Sequence, residues 1–454
     1  MAWGLFKKTY GNFVVLANLP GQRRVPYLRK EQLWALRDAR LRRIVRYAAE
    51  TVPYYRQLFQ AQKIDPRDVK SVSDLDHLPL VDKSTVRENP ELFVSTSLWG
   101  KNSILFQTRG STGFPAKVNH DIHSLIANMA FGERERDVIT RLCGKKLGYR
   151  EMYLGFPGWN IDKVWAFYRA WTFVPVRPQR VVLSVAEPIE SIVESINNFQ
   201  PDVIVGIGSY LELLFRTVAS RATRLHCPRV LLYAGDSMTR EGKRFIEQEF
   251  KIPVLTQYNA IESFKIGFSC EQRKDLHIHE DLCHVKIVDS RGQNVVPGQA
   301  GEVVISNLVN RGTVLLNFRL GDIASFAREI CPCGRTLMSI SELEGRFWDI
   351  IYLPNRDWVH PRVIWEVFKG RDDILRFQFI QHEPARFELK IFAKDVPTYE
   401  RHIGGILTDL RNILGSSAEI ESRFSEDLAV SEGKFRPVIS LYKPAGMSGP
   451  RAAI

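Results

Sequence analysis

Short apolar runs alternate with helical segments between residues 151 and 258, and this alternation limits the possible folds more than any other feature. The runs are rich in Val, Ile, Leu and Tyr and end in Gly, Pro or a polar residue: EMYLGFP (151–157), RVVLSV (180–185), DVIVGIG (202–208), RVLLYAG (229–235) and IPVLTQY (252–258). Helical spacing of apolar residues marks the segments between them, at 187–199, 209–222 and 239–250. Such alternation predicts an α/β fold on a parallel sheet.

The pattern changes after residue 275. The runs HVKIVD, GEVVISNL and TVLLNFRLGDIASF alternate apolar and polar residues, which predicts an antiparallel sheet or a barrel. From about 348, the segments RFQFIQ, RFELKIFA and RPVISLY with a helix near 399–414 predict a small α+β domain. A chain of 454 residues is too long for one compact core, so at least two domains are expected.

The chain is basic, with a formal charge of +12, which raises the question of an acidic partner. Its densest basic stretch, 37–56, keeps apolar residues at helical spacing between the arginines, as a solvated helix face does. No nucleic-acid partner is therefore expected. The N-terminus has Lys7 and Lys8 amid its apolar residues and a Pro-Gly stop, which fits neither a signal peptide nor a membrane span. We expect a cytoplasmic protein without membrane insertion.

The stretch LFQTRGSTGFPAKV (105–118) could hold a phosphate group. Gly lets backbone N–H groups converge on a phosphate, and Ser and Thr add hydroxyl donors. The spacing does not match a Walker loop, and an ordinary surface turn is the alternative. The candidate phosphate ligands are Thr108, Arg109, Gly110, Ser111, Thr112 and Gly113, with Lys117 just beyond them.

Four further stretches follow that loop: QYNAIES, LNFRLGDIASF, EGRFWDI and SEGKFRPVI. Taken alone each is a weak signal: QYNAIES is more typical of an ordinary strand end, and the Lys of SEGKFRPVI of a turn. In their order and spacing, the five stretches together resemble the adenylate-forming enzymes, and specifically the phenylacetate-CoA ligase branch. The resemblance runs nearly end to end.

The resemblance implies a fold and a reaction. A large N-terminal adenylate-forming domain (1–346), with layered α/β sheets and a distorted barrel, precedes a small mobile α+β lid domain (347–454). The implied enzyme is an ATP-dependent, AMP-forming ligase of the acid-thiol type. A carboxylate attacks the α-phosphate of ATP, pyrophosphate leaves, and the acyl group passes from AMP to CoA.

The resemblance also assigns roles to single residues. Tyr258 and Asn259 lie beside the adenine, and Asp322 binds the ribose hydroxyls. Glu262 binds Mg²⁺, which takes carboxylates together with substrate phosphates. Arg346 contacts ribose or phosphate at the domain junction.

Lys434 is the catalytic lysine that the resemblance implies. Its ammonium would offset the charge that develops on the α-phosphate and carboxylate oxygens. The cofactors expected for the chain are therefore ATP and Mg²⁺.

Several positions depart from the family pattern. Arg109 and Phe114 alter the phosphate loop, and Asn259 replaces a Gly. Trp348 replaces the Asp or Lys at the hinge, and IIYLPNRDWVHPRVI lacks the Gly of the segment that lines the thioester-forming conformation. Because the last two departures affect the second half-reaction, the acceptor is left open between CoA and an amine, a carrier protein, a hydroxyl or another small nucleophile.

The acid should bind at the carboxyl ends of the parallel strands, where ligands of open α/β sheets bind. Aromatic walls there favour an aryl or aryl-acryl carboxylate, and an acidic neighbour would favour an amino-substituted ring. The candidates are Trp159, Tyr210, Tyr233, Gly235 and Asp236. The pathway, aromatic degradation or natural-product assembly, and homodimer formation are left open.

Four residues form a candidate structural zinc site: Cys270, His277, Cys331 and Cys333. Three thiolates and one imidazole make a tetrahedral Zn²⁺ set, and a Cys-Pro-Cys-Gly-Arg segment also occurs in relatives of this branch. His279 is the alternative imidazole, and small buried thiols are the alternative to a metal site. A cytoplasmic chain is not expected to use its six cysteines as a disulfide framework.

Overall fold

The computed structural model describes residues 2–98, 103–107, 116–156, 158, 160–173, 179–346, 351–354, 358–359, 361–368, 370–371, 373–426 and 436–442. The candidate loop residues 108–113, Trp159, Trp348 and Lys434 lie outside these ranges. Within the described ranges, no helix combines the length and apolar character needed to cross a membrane.

Helices open the chain. They are α1 (Ala2–Asn18), α2 (Lys30–Thr51), α3 (Pro53–Gln62) and, after a 3-10 turn, α4 (Lys83–Glu88). The basic stretch at 37–56 is thus divided between two helices at Val52, which is extended with φ −106° and ψ 118°. The residue before a proline disfavours helical angles, whereas Pro53 suits the first position of the next helix.

A β-hairpin and three helices follow. The strands are β1 (Ser103–Gln107) and β2 (Lys117–Asp121), and the helices are α5 (Ile122–Phe131), α6 (Glu133–Cys143) and α7 (Asn160–Trp171). Asp121 caps α5 by accepting a hydrogen bond from the Ser124 N–H. The hairpin therefore leads directly into a helix of the domain core.

An 11-stranded sheet organises the rest of the large unit, in the order β10-β11-β12-β13-β9-β8-β7-β6-β5-β3-β4. Its parallel part comprises β3 (Arg150–Gly155), β4 (Gln179–Ser184), β5 (Val203–Gly206), β6 (Val230–Tyr233) and β7 (Val254–Ala260). The connecting helices are α8 (Ile189–Phe199), α9 (Gly208–Ser220) and α10 (Arg240–Glu249). The expected α/β class is confirmed.

Both faces of the parallel part are covered. Ile204 of β5 packs in a core that includes Leu211 of α9, whereas the preceding residue, Val203, packs with Val138 of α6. Successive side chains of a strand point to opposite faces, so continuous apolar runs are needed where helices lie on both sides.

The antiparallel part continues the same sheet. It comprises β8 (Ser263–Ser269), β9 (Leu276–Ile278), β10 (Cys283–Val288), β11 (Gly301–Asn307), β12 (Phe318–Phe326) and β13 (Ser339–Arg346). The change from parallel to antiparallel pairing occurs at β7, which pairs with β6 on one side and β8 on the other. The helices α2 and α3 share a core with this part of the sheet.

The C-terminal segment forms a smaller sheet of order β18-β17-β16-β19. Its strands are β16 (Ile374–Glu383), β17 (Arg386–Ala393), β18 (Glu419–Phe424) and β19 (Val438–Ser440), with a short hairpin of β14 (Ile351–Tyr352) and β15 (Trp358–Val359) before them. The helices are α11 (Pro361–Glu366) and α12 (Val396–Leu414). This sheet has its own apolar core, which includes Phe379, Leu389 and Leu410.

Candidate active site

Two of the residues predicted to bind the nucleotide are in contact in the structure. Tyr258 lies near the end of β7 and Asp322 lies in β12, and the phenol donates a hydrogen bond of 2.7 Å to Asp322 Oδ2. Burial, followed by the negative charge of Asp322, raises the pKa of Tyr258 well above its usual value. The phenol therefore stays protonated and fixes the position of the Asp322 carboxylate.

Arg346 lies directly across the sheet from Asp322. The two residues are register partners in the antiparallel pair of β12 and β13. Neighbouring strands are about 5 Å apart, so the Arg346 backbone lies next to the Tyr258–Asp322 pair. The structure thus brings together three of the five sequence stretches.

Glu262 occupies the two-residue turn between β7 and β8. It is 3% exposed, and among the described residues its Oε1 has no hydrogen-bond partner. The Lys83 ammonium is 3.4 Å from that oxygen, which makes an ion pair without the geometry of a hydrogen bond. A buried carboxylate oxygen without a donor is costly, and a hard divalent cation would satisfy it. The site therefore fits Mg²⁺.

Lys83 is a contributor that the sequence did not indicate. It is the first residue of α4, in a polar segment without a recognisable motif. In the sequence it is only a Lys at the start of a short helix, and such a residue is usually an ordinary surface side chain. The contact with Glu262 depends on the packing of α4 against the sheet.

The strands β1 and β2 hold the base of the predicted phosphate loop. Gln107 and Lys117 are register partners, so residues 108–115 connect the two strand ends. Asn160 Nδ2 donates to the Gln107 carbonyl at 2.8 Å, and the Thr313 N–H donates to the Asn119 carbonyl at 2.7 Å. The loop therefore starts and ends on backbone anchored to α7 and to the connection between β11 and β12, with Lys117 exposed beside it.

His120 links this hairpin to the Glu262 turn. Its Nε2–H donates a 2.7 Å hydrogen bond to the carbonyl of Ile261, and its ring packs between Phe106 and Phe264. Burial lowers the pKa of His120 to about 4, against the smaller opposing effects of that hydrogen bond and of nearby carboxylates. A neutral imidazole thus joins the β1–β2 hairpin to the candidate magnesium ligand.

The candidate zinc ligands also meet. The ligand atoms of Cys270, His277, Cys331 and Cys333 all lie within 4.8 Å of one another. The Sγ atoms of Cys270 and Cys331 are 3.6 Å apart, and Cys333 Sγ is 3.3 Å from His277 Nε2. Three sulfurs and one imidazole nitrogen converging at these distances suit a tetrahedral structural zinc site.

His279 lies in a different network. Its Nε2 is 3.1 Å from Glu135 Oε1, and its Nδ1 is 3.4 Å from Arg134 Nη1. Arg134 is fully buried and makes a bidentate ion pair with Asp281. Of the two candidate imidazoles, the structure places His277 in the cluster.

Arg335 lowers the pKa of one thiol of the cluster. Burial raises the pKa of Cys333, but hydrogen bonds from the backbone and side chain of Arg335 outweigh it and lower that pKa. The Arg335 guanidinium is held by two hydrogen bonds to Glu271, of 2.6 and 3.0 Å. Zinc binds the thiolate form, so this arrangement favours a metal ligand at Cys333.

Comparisons with known proteins agree with this geometry. Protein-family models give no match to the chain. A phenylacetate-coenzyme A ligase of Thermus thermophilus is 26% identical over 333 residues, which cover 72% of this chain and 73% of the relative. A phenylacetate-coenzyme A ligase of Pseudomonas putida is 24% identical over 90% of this chain and 93% of its own length. The crystal structure of 2-hydroxyisobutyryl-CoA ligase in the postadenylation state matches with a TM-score of 0.75 and 18% identity, over 93% of this chain and 91% of that one.

The chain is therefore similar, over most of its length, to the phenylacetate-CoA ligase-like branch of the adenylate-forming enzymes. It is an AMP-forming ligase.

Four of the predicted acid-binding residues, Tyr210, Tyr233, Gly235 and Asp236, lie where β5 and β6 end. Tyr210 is in the first turn of α9, and its buried hydroxyl has no hydrogen-bond partner among the described residues. Asp236 accepts hydrogen bonds from the Ser209 N–H (3.1 Å) and hydroxyl (2.5 Å). The Asp236 carboxylate therefore fixes the start of α9. Tyr233 ends β6, and Gly235 has φ +95°, an angle that disfavours other residues.

The C-terminal unit of the ligase touches the same place. Arg376 of β16 is buried and donates a 3.1 Å hydrogen bond to the Ser209 carbonyl. Ser209 thus joins Asp236 of the large unit to Arg376 of the small one. The sequence did not indicate this contact, because RFQFIQ shows only a strand pattern.

Proposed function

We propose that this ligase activates an aryl or aryl-acryl carboxylic acid as acyl-AMP, releases pyrophosphate and transfers the acyl group to CoA. The observation that carries the proposal is the Tyr258–Asp322 hydrogen bond beside Arg346 and the Glu262 turn. An acidic side chain suits a ribose diol, as in dinucleotide sites. The names of the curated relatives support CoA as the acceptor.

The roles follow from the positions of the described residues. Tyr258 offers a ring for the adenine and orients Asp322 towards the ribose. Glu262 would hold Mg²⁺, which would supply positive charge to offset the negative charge of the ATP phosphates. The hairpin of β1 and β2 would place the loop of residues 108–113, with Lys117 at its base, against the phosphates.

Little covalent chemistry is required of the protein in such a transfer. Its contribution is to align the acid oxygen with the α-phosphate and to stabilise the charge that develops. We assign the second task to Lys434 and to Arg346, on the family motifs that contain them.

The aromatic preference rests on the acid-binding wall. Tyr210 and Tyr233 lie at neighbouring strand ends, and Trp159 precedes α7 in the sequence. The Tyr210 hydroxyl has no hydrogen-bond partner among the described residues, and it would favour an acid with a polar ring substituent, because an unpaired buried hydroxyl is costly. A structural Zn²⁺ at the Cys270 cluster and a cytoplasmic location are part of the proposal.

A non-CoA acceptor is the second candidate. It is favoured by Trp348 at the hinge position and by the absence of Gly from residues 350–364. An amine, carrier protein, hydroxyl or other small nucleophile would then receive the acyl or adenylyl group.

A pyrophosphate-release screen over aromatic acids, each with and without CoA, tests the proposal. We expect acid-dependent release with ATP and Mg²⁺, and a CoA-dependent rise in AMP release with a thioester product. AMP release that ignores CoA but rises with an amine would favour the second candidate. No acid-dependent pyrophosphate release across aromatic acids would contradict the aromatic assignment.

A further inference from the structure

The outward side of α1 is apolar. Its exposed residues Leu5, Phe6, Phe13 and Leu16 have exposed fractions of 62%, 60%, 69% and 66%. At 3.6 residues per turn these four side chains fall within an arc of about 100°. We call them the α1 outer face. Single exposed apolar residues are common, but a contiguous set on one helix face marks a binding surface.

The opposite side of α1 packs against the protein core. The α1 outer face is therefore a surface of the folded protein. Val14 is 1% exposed in a core shared with α5 and α7. A Cβ on Gly11 would lie 1.8 Å from the Trp171 carbonyl oxygen, so glycine is what lets α1 approach α7 this closely. Tyr10 adds a contact of 3.1 Å between its hydroxyl and His123 Nδ1.

The outer face offers little polar chemistry of its own. Thr9 lies in the middle of the arc, and its hydroxyl donates to the Leu5 carbonyl one turn earlier at 2.9 Å. Phe173, which is 50% exposed, adds apolar surface nearby, with Lys8 Nζ 5.3 Å from its ring centroid. The surface is therefore suited to apolar contact with a cation beside it.

The basic charge of the sequence that contains α1 favours one kind of occupant. The first 30 residues contain six Lys or Arg (7, 8, 23, 24, 29 and 30) and no Asp or Glu. A second copy of the chain would bring another +12 charge to the same place, which opposes self-association. An anionic lipid surface offers both acyl chains for Phe and Leu and negative headgroups for the cations.

We propose that α1 attaches this ligase peripherally to anionic lipid surfaces. The helix would lie in the plane of the interface, with Leu5, Phe6, Phe13 and Leu16 among the upper acyl chains and Lys8 at headgroup level. At 17 residues α1 does not span a membrane, which agrees with the lack of a spanning helix in the described ranges. The attachment is reversible and is weakened by salt.

Vesicle co-sedimentation of the full-length chain tests this proposal, with phosphatidylglycerol–phosphatidylcholine vesicles against phosphatidylcholine alone. We expect binding to the anionic vesicles that falls about tenfold in Phe6→Ser/Phe13→Ser. Lys8→Gln/Arg24→Gln should weaken binding as well. Val296→Ser is the matched control, because Val296 is 68% exposed elsewhere on the surface.

The results of these experiments distinguish a lipid surface from a second copy of the chain as the occupant of the α1 outer face. Binding that requires the two Phe residues and anionic lipid, with pyrophosphate release unchanged in the same variants, supports the proposal. No binding to anionic vesicles, equal binding to both vesicle types, or full binding by Phe6→Ser/Phe13→Ser overturns it. Light scattering of the free protein adds a further test: a dimer that becomes a monomer in Phe6→Ser/Phe13→Ser, without vesicle binding, would assign the outer face to a second copy.

Discussion

At the scale of single residues, a buried polar atom without a hydrogen-bond partner indicates where a ligand can bind. Glu262 keeps a buried carboxylate oxygen without a hydrogen-bond donor among the described residues, beside a single ammonium at 3.4 Å. The sequence motifs name Glu262, Tyr258 and Asp322, because each lies in a recognisable stretch. They do not name Lys83, which reaches Glu262 from an element about 180 residues earlier.

Replacing Glu262 tests the magnesium assignment. Glu262→Gln keeps the size of the side chain but removes its negative charge, so kcat/KM for Mg-ATP should fall about a hundredfold. The measurement is pyrophosphate release over a Mg²⁺ titration. The control is Glu151→Gln, because Glu151 is a buried carboxylate paired with Arg180 at the other end of the parallel strands. Equal Mg²⁺ dependence in Glu262→Gln and in the unmodified chain would refute the role.

Lys434→Ala tests the predicted catalytic lysine. A preorganised donor of this kind contributes roughly 3 kcal/mol, so adenylation should fall about a hundredfold while ATP still binds. Single-turnover pyrophosphate release gives the rate, and equilibrium binding of ATP gives the control. A pyrophosphate-release rate that does not change would remove Lys434 from the mechanism.

At the scale of elements, turns and hairpins bring distant ligands together. The pair Cys331 and Cys333 comes from the turn before β13, whereas Cys270 directly follows β8 and His277 lies in β9. The ligand types and the Cys-x-Cys spacing were predictable from the sequence. The choice of His277 over His279 was not, because His277 lies within β9 and His279 follows its end, so only the folded backbone decides which ring meets the cysteines.

Metal analysis tests the zinc site. We expect about one Zn²⁺ per chain in protein purified without added zinc, and loss of that metal with a lower Tm in Cys333→Ser. Cys227→Ser is the control, because Cys227 is exposed and lies outside the cluster. A zinc-free preparation of the unmodified chain, or full zinc content in Cys333→Ser, would argue against the site.

The buried His120 predicts acid sensitivity of the β1–β2 hairpin. Its pKa is about 4 in the folded chain, against about 6.5 when unfolded, so between these values the unfolded state binds more protons. The free energy of unfolding should therefore fall as the pH drops from 6.5 towards 4, by about 1–3 kcal/mol from this group. Above pH 6.5 its contribution is complete.

Urea unfolding at a series of pH values measures this slope. His120→Gln keeps a donor for the Ile261 carbonyl without a titrating ring, so its slope should be shallower than that of the unmodified chain. His226→Gln is the control, because His226 Nε2 also contacts a carbonyl, that of Pro201, but is only half-buried. Parallel slopes for His120→Gln and the unmodified chain would show that another group causes the acid sensitivity.

At the scale of the whole molecule, the contact between Arg376 and Ser209 joins the small unit to the predicted acid-binding wall. The N–H and the hydroxyl of Ser209 donate hydrogen bonds to Asp236, and its carbonyl accepts one from Arg376. Both units therefore contact the start of α9. An occupied acid site and a docked C-terminal unit would therefore support each other. The boundary between the units at 346 and 347, and the mobility of the second, remain predictions from the family resemblance.

Removing this contact should weaken docking in the observed orientation. A hydrogen bond from a charged donor contributes about 1.5–3 kcal/mol, so Arg376→Ala should slow acyl-adenylate formation about tenfold or more. The measurement is single-turnover pyrophosphate release, with ATP affinity as the readout that should not change. Arg386→Ala, an exposed arginine on β17, is the control. An unaltered adenylation rate in Arg376→Ala would mean that this contact does not govern the step.

The sequence by itself determined the alternation of strands and helices, the α/β class and the identity of most candidate ligands, because these follow from local periodicity and short motifs. It also indicated that three cysteines and a histidine could bind zinc. Only the tertiary structure decided that Lys83 meets Glu262, that His120 joins the hairpin to the Glu262 turn, that His277 rather than His279 completes the cluster, and that Arg376 reaches Ser209. Each of these contacts joins residues from different elements, so it depends on strand register and helix packing, which local patterns do not encode.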